Sequence, residues 1–214
     1  MVESLVRPRP DKSRSPISRS HATTSQTLQR LRDSARDLFV RVGYHDTRPQ
    51  DIARNAGVAS GTFYLHFNDK NSAFLDFAEQ AQTELIDCQT ENLEGVQGHR
   101  ARWRVVIETI INFGFEHPGI LNAAFLDPVL IAPHNDEAWR MYDRLGAMVK
   151  MVLAESTPEV SGEYDLEMVS HAICGMLRHA LTYSVRKQLD LDKLTDDLSL
   201  FIDRGLGLDK QQVS

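Results

Sequence analysis

The residues of this chain whose types and spacing suit chemistry lie between Gly43 and Lys70, in GYHDTRPQDIARNAGVASGTFYLHFNDK. Ser60, Gly61 and Thr62 are small or polar, and the hydrogen-bond donors Tyr64, His66 and Lys70 follow them. The chemistry this implies is recognition rather than catalysis. Short side chains at the start of a helix fit beside base edges in the major groove. Donors around them fix phosphates and set register. Thr47 and the backbone N–H groups at the start of the preceding helix offer a second phosphate contact. Gln50, in that helix's first turn, is in reach of a base edge.

The elements that must position these residues are two short helices joined by Gly57-Val58. The first spans roughly Arg48 to Ala56. Thr47 and Gln50 have the spacing of a capping box, and Pro49 is tolerated in a first turn. The second, about Ser60 to Leu65, is too short to stand alone and needs Phe63 and Phe67 as anchors. A longer helix precedes them, from Thr24 or Ser25 to Val42, with Leu28, Leu31, Ala35, Leu38 and Phe39 on one face and Gly43 as its stop. The periodicity predicts further helices near 69–91, 99–116, 135–155, 165–187 and 192–205. A shorter apolar segment runs from Gly119 to about Ile131. No alternating strand pattern or hairpin dipeptide occurs, so the expected fold is all-α, with about nine helices. A three-helix reading head at 23–70 precedes a larger helical body at 71–214. Residues 1–22, rich in Ser, Pro and Arg, read as a disordered basic arm.

Charge separates the head from the body. The whole chain carries a formal −6. Residues 1–70 hold twelve Lys and Arg against seven Asp and Glu, a net of +5, so the remainder carries −11. A basic end on an acidic body suits a polyanionic partner. Arg7, Arg9, Arg14 and Arg19 of the arm either add minor-groove contacts or have no role. Cys88 and Cys174 lie outside any CxxC pattern and read as buried thiols of a reducing cytoplasm. The N-terminus has no secretory apolar stretch, and no run approaches a membrane span.

The string G-Y-x-x-T-x-x-x-I-A-x-x-A-G-V-x-x-G-T-x-Y-x-x-F-x-x-K, met from Gly43 to Lys70, resembles the DNA-binding domain of TetR-type (tetracycline-repressor-like) regulators. The resemblance implies that Thr47, Tyr64, His66 and Lys70 contact phosphates and that Ser60, Gly61 and Thr62 face bases. Thr47-Arg48-Pro49 departs from the family's usual Thr-Thr, so Arg48 either adds a phosphate contact or marks a helix start one residue later. Ala59 and Ser60 replace longer residues, which leaves base readout sparse.

The resemblance further implies a homodimer paired through the last two long helices and an effector held in the body. Expected interface residues are Ala172, Gly175, Met176, Ala180, Tyr183, Leu198, Phe201 and Ile202. Expected effector contacts are Trp103, Ile107, Ile110, Phe113, Phe125, Trp139, Tyr142, Met148, Met176 and His179, an apolar set suited to a small lipophilic ligand. The expected function is a repressor that binds a palindromic operator and is released by that ligand. The rivals are an architectural or partner-dependent DNA-binding protein of the same fold and an all-α enzyme. His117, His134, His171 and His179 lack tight metal-ligand spacing, and GxSxG, GxGxxG and Walker patterns are absent, so neither cofactor nor catalysis is expected.

Overall fold

The computed structural model describes residues 16–125, 134, 136–156 and 164–207. Nine helices occur among them: α1 Pro16–Arg41, α2 Pro49–Asn55, α3 Ser60–Phe63, α4 Lys70–Leu93, α5 His99–Glu116, α6 Ile120–Phe125, α7 Asp136–Ser156, α8 Leu166–Lys187 and α9 Leu191–Gly205. The all-α expectation holds for the described residues. Arg7, Arg9 and Arg14 of the arm and residues 126–131 of the expected apolar segment lie outside them. One boundary moves. α1 begins at Pro16, not at Thr24, so part of the expected arm is helical. Proline suits a first helical turn, where its missing N–H costs no hydrogen bond.

Side-chain caps fix the starts of α4, α8 and α9. Asp69 accepts from Ser72 N at 2.7 Å while Ser72 Oγ accepts from Asp69 N at 3.1 Å, a reciprocal box that starts α4. Asp165 and Asp190 cap α8 and α9 through two N–H groups each. The predicted Thr47–Gln50 box does not form. Arg48 is the N-cap of α2, extended at φ −120°, as a residue before proline prefers. Thr47 is therefore one residue outside the helix, and its hydroxyl donates instead to Gly43 O at 2.7 Å.

Two apolar clusters fill the molecule. The first joins Leu31, Ala35 and Phe39 of α1, Ile52 of α2, Phe63 and Phe67 around α3, and Phe74, Phe77 and Ala81 of α4. Phe113, Ile120 and Met141 of the body belong to the same cluster, so the head has no separate core. The second cluster centres on Trp103 and Ile107 of α5, Val152 and Leu153 of α7, Ile173 and Leu177 of α8, and Ile202 of α9.

α4 is tied to α1 on its other side by two bidentate pairs. Arg32 donates to Asp76 at 2.6 and 3.0 Å, and Arg36 donates to Glu84 at 2.5 and 2.8 Å. The Arg36 hydrogen bond holds the Glu84 carboxyl below its ordinary value of 4.5, against a smaller opposing effect of burial. A depressed carboxylate contributes fully above its unfolded pKa and loses that contribution as pH falls through the folded value. A double-mutant cycle with Arg36→Ala and Glu84→Ala is expected to give a coupling of about 0.5–1 kcal/mol for this half-exposed pair. Thermal melts should show that coupling at pH 7 and its decline below pH 4.5.

Candidate nucleic-acid interface and effector cavity

The helix pair is built around a turn that needs glycine. Gly57 has φ +66°, and Arg30 of α1 donates to the carbonyls of Ala56 and Gly57, the latter at 3.1 Å. The guanidinium thereby satisfies carbonyls at the C-terminal end of α2. Phe63, fully buried, and Phe67, nearly so, anchor α3 and the turn that follows it. The outward face of that segment carries Ser60, Gly61, Tyr64 and Leu65, all exposed. Thr62 and His66 lie on its flank, half-buried. Gln50 and Arg48 are exposed at the start of α2.

Two of the expected phosphate contacts have internal duties. Thr47 is only 2% exposed, and its hydroxyl hydrogen is directed to Gly43 O. Lys70 Nζ donates to Tyr44 O at 2.9 Å and His45 O at 3.3 Å, and sits 4.2 Å from the Tyr44 ring centre. The Tyr44 hydroxyl in turn donates to Asn71 Oδ1. An ammonium has three N–H donors, so Lys70 keeps one beyond the two that clip the α1–α2 turn to α4. The head therefore brings Arg48, Gln50, Ser60, Gly61 and Tyr64 to its surface, with His66, Thr62 and Lys70 beside them, while Thr47 offers at most its backbone. Leu65, a fully apolar side chain on the same face, is the position that a search for donors passes over.

The body holds a cavity of about 290 Å³ between α4, α5, α6, α7 and α8. Its wall includes Leu85, Val106, Ile110, Leu121, Leu145, Met148, Val149 and Leu177. Polar groups enter from Gln82 and Gln89 of α4, Tyr142 of α7, and His171, Arg178 and Thr182 of α8. Gln82 is 1% exposed, and its Oε1 has no hydrogen-bond partner among the described residues. Arg178 Nη1 donates to the Tyr142 hydroxyl at 3.3 Å. Cys174 also faces the cavity, and burial pushes its thiol up to about 11, so it stays protonated at neutral pH.

Of the expected effector contacts, Ile110, Tyr142 and Met148 line this cavity. Trp103, Ile107 and Phe113 do not, and instead pack in the two apolar clusters. Trp139 is 51% exposed, His179 is exposed, and Met176 packs on the second cluster. The Phe125 side chain lies outside the described residues. Of the expected interface residues, Ala172, Gly175, Tyr183 and Phe201 are exposed and Ala180 is half-buried. Ile202 is buried inside the subunit, and Met176 and Leu198 pack toward the same cluster. α9 turns that edge onto α5, which leaves Phe201 facing outward.

These features define a helix-turn-helix DNA-binding head on a helical body. Residues 31–76 match the profile of bacterial regulatory proteins of the tetR family. The uncharacterized HTH-type transcriptional regulator YdgC of Bacillus subtilis is 25% identical over 159 residues, 72% of this chain and 78% of that protein. The fatty acid metabolism regulator protein of the same organism is 31% identical over 62 residues, 29% of this chain and 32% of that one. The crystal structure of FadR from Bacillus subtilis in complex with stearoyl-CoA has the same fold, with a TM-score of 0.66 at 20% identity over 81% of this chain and 96% of that one. Residues 31–76 are thus a TetR-family DNA-binding domain, and the whole chain has the fold of TetR-type transcriptional regulators.

Lys70→Ala, which removes two hydrogen bonds from a charged donor, is expected to cost about 1–3 kcal/mol of stability. It should also weaken DNA binding. Tyr64→Ala, at an exposed position, should weaken DNA binding and leave the melting temperature unchanged. Paired thermal melts and DNA titrations separate the two effects.

Proposed function

We propose that the protein is a ligand-responsive repressor that binds a palindromic operator as a homodimer and is released by an amphipathic acyl ligand. The observation that carries this reading is the double membership of α4. Its Asp76 and Glu84 hold Arg32 and Arg36 of α1, while its Gln82, Leu85 and Gln89 face the cavity. A ligand that reshapes the wall acts on the helix that fixes the head, and any difference in its affinity for the two arrangements changes DNA affinity by linkage.

In this reading Arg48, Tyr64, His66 and Lys70 hold phosphates. Gln50, Ser60, Gly61 and Thr62 face bases. The exposed faces of α8 and α9, with Ala172, Tyr183 and Phe201, pair with a second copy, whose two-fold symmetry matches a palindrome. The ligand class follows from the wall. It is mostly apolar, and among the described residues no carboxylate lines it and Arg178 is its one permanently charged side chain. An apolar chain ending in an anionic or strongly polar group complements that arrangement, and the fatty-acid and stearoyl-CoA relatives support it.

The test is a titration of the dimer on its selected operator with long-chain fatty acids and, separately, their coenzyme A thioesters. One of the two should lower DNA affinity by roughly 5–150-fold, the usual range of allosteric coupling, without dissociating the dimer. Arg178→Ala should blunt the response. An unchanged DNA affinity with acyl ligand bound contradicts the repressor-release reading.

A further inference from the structure

Leu65 is 80% exposed, the highest value among the exposed large apolar side chains described. The others fall mainly on the body, whereas Leu65 stands on the head's reading surface. The chain tightens past α3 into a 3₁₀-type turn, in which the N–H groups of Leu65 and His66 donate to Thr62 O and Phe63 O, three residues back. Gly61 and Leu65, with Ser60 and Tyr64, stand on the exposed side of this segment, opposite the buried Phe63 and Phe67.

Gly61 adds a second, independent observation. Its φ is not in the left-handed region, and a Cβ built on it meets nothing within 4 Å. Neither the backbone nor the packing of the fold requires glycine there. The surface at Gly61 is open, and among the described residues nothing fills it or covers Leu65. A leucine on a water-facing surface gains nothing from its apolar group until a partner covers it.

The major groove holds one apolar group, the 5-methyl of thymine, among polar base edges. We propose that Leu65, on the same exposed side as the open surface at Gly61, reads a thymine methyl in each half-site and is a specificity-determining residue of the head. The inference rests on the DNA-binding reading, and it assigns sequence choice to an apolar contact alongside the hydroxyl groups of Ser60 and Thr62. Gly61 gives the base edge room to approach. Leu65 supplies the apolar surface.

The test begins with selection of binding sites from a random-core duplex library by the full-length chain. Each thymine of the selected duplex is then replaced singly by deoxyuridine, which removes only the methyl group. One position per half-site should lose roughly fourfold in affinity, the value of burying one such group. In Leu65→Ala the same replacement should have no effect, and selection should no longer favour thymine there. Leu65→Met should retain the preference. Gly61→Ala, which the fold accommodates, should weaken binding to the selected duplex without lowering the melting temperature. The proposal is overturned if no deoxyuridine replacement weakens the wild-type chain. It is equally overturned if Leu65→Ala keeps the methyl preference or weakens all duplexes alike. Failure to enrich any sequence would instead overturn the DNA-reading function on which it rests.

Discussion

The burial of α4 in both apolar clusters is the constraint on which the rest of the structure depends. At 24 residues the helix is about 36 Å long. Phe74, Phe77 and Ala81 belong to the first cluster, which holds the head, and Leu93 at the far end belongs to the second. α2 and α3 have 7 and 4 residues, lengths that do not persist in water alone. Their orientation is inherited from α1 and α4 through Ile52, Phe63 and Phe67. The position of the reading surface is thus a property of α4, and the reciprocal Asp69–Ser72 cap and the Lys70 clip fix where that helix begins.

Two further contacts lead from the cavity toward the head. α6 places Leu121 in the cavity wall, while Gly119, just before it, lies against Val40 of α1 so closely that a Cβ would sit 2.8 Å from its Cγ1. Arg144 of α7, two residues beyond Tyr142, donates to Thr83 of α4 at 2.9 Å and to Glu79 at 3.4 Å. The cavity wall therefore touches α1 through α6 and α4 through α7, besides containing part of α4 itself. A packed wall of this kind responds to a ligand by choosing between arrangements rather than by stretching. That makes the attachment of the cavity wall to α4 and α1 the physical basis of the proposed switch.

Much of this was legible in the sequence. The spacing of Leu31, Ala35 and Leu38, the Asp and Gly punctuation, and the Gly43–Lys70 string located nearly all helix ends to within a residue or two. What failed to read was the direction of a side chain once two elements competed for it. Thr47 and Gln50 have the spacing of a capping box, but Pro49 shifts the N-cap to Arg48 and turns Thr47 back to Gly43 O. Trp103 and Phe113 look like effector contacts because periodicity marks an apolar face, not whether another helix already covers it. The cavity's own residues, Gln82, Gln89 and Arg178 among them, come from polar positions that a search for lipophilic lining passes over. Leu65 was missed for the mirror reason, as an apolar residue in a search for donors.

The central claim is that ligand and DNA compete through the setting of α4. It is tested most directly by the distance between the two heads of one dimer. Spin labels at residue 68, with Cys88 and Cys174 replaced by serine, report that distance by pulsed electron resonance. The account predicts a narrow distribution on operator DNA, compatible with half-sites about 34–36 Å apart. Acyl ligand should shift that distribution by several ångströms as DNA is released. A distribution that stays fixed while ligand binds and DNA departs would contradict it.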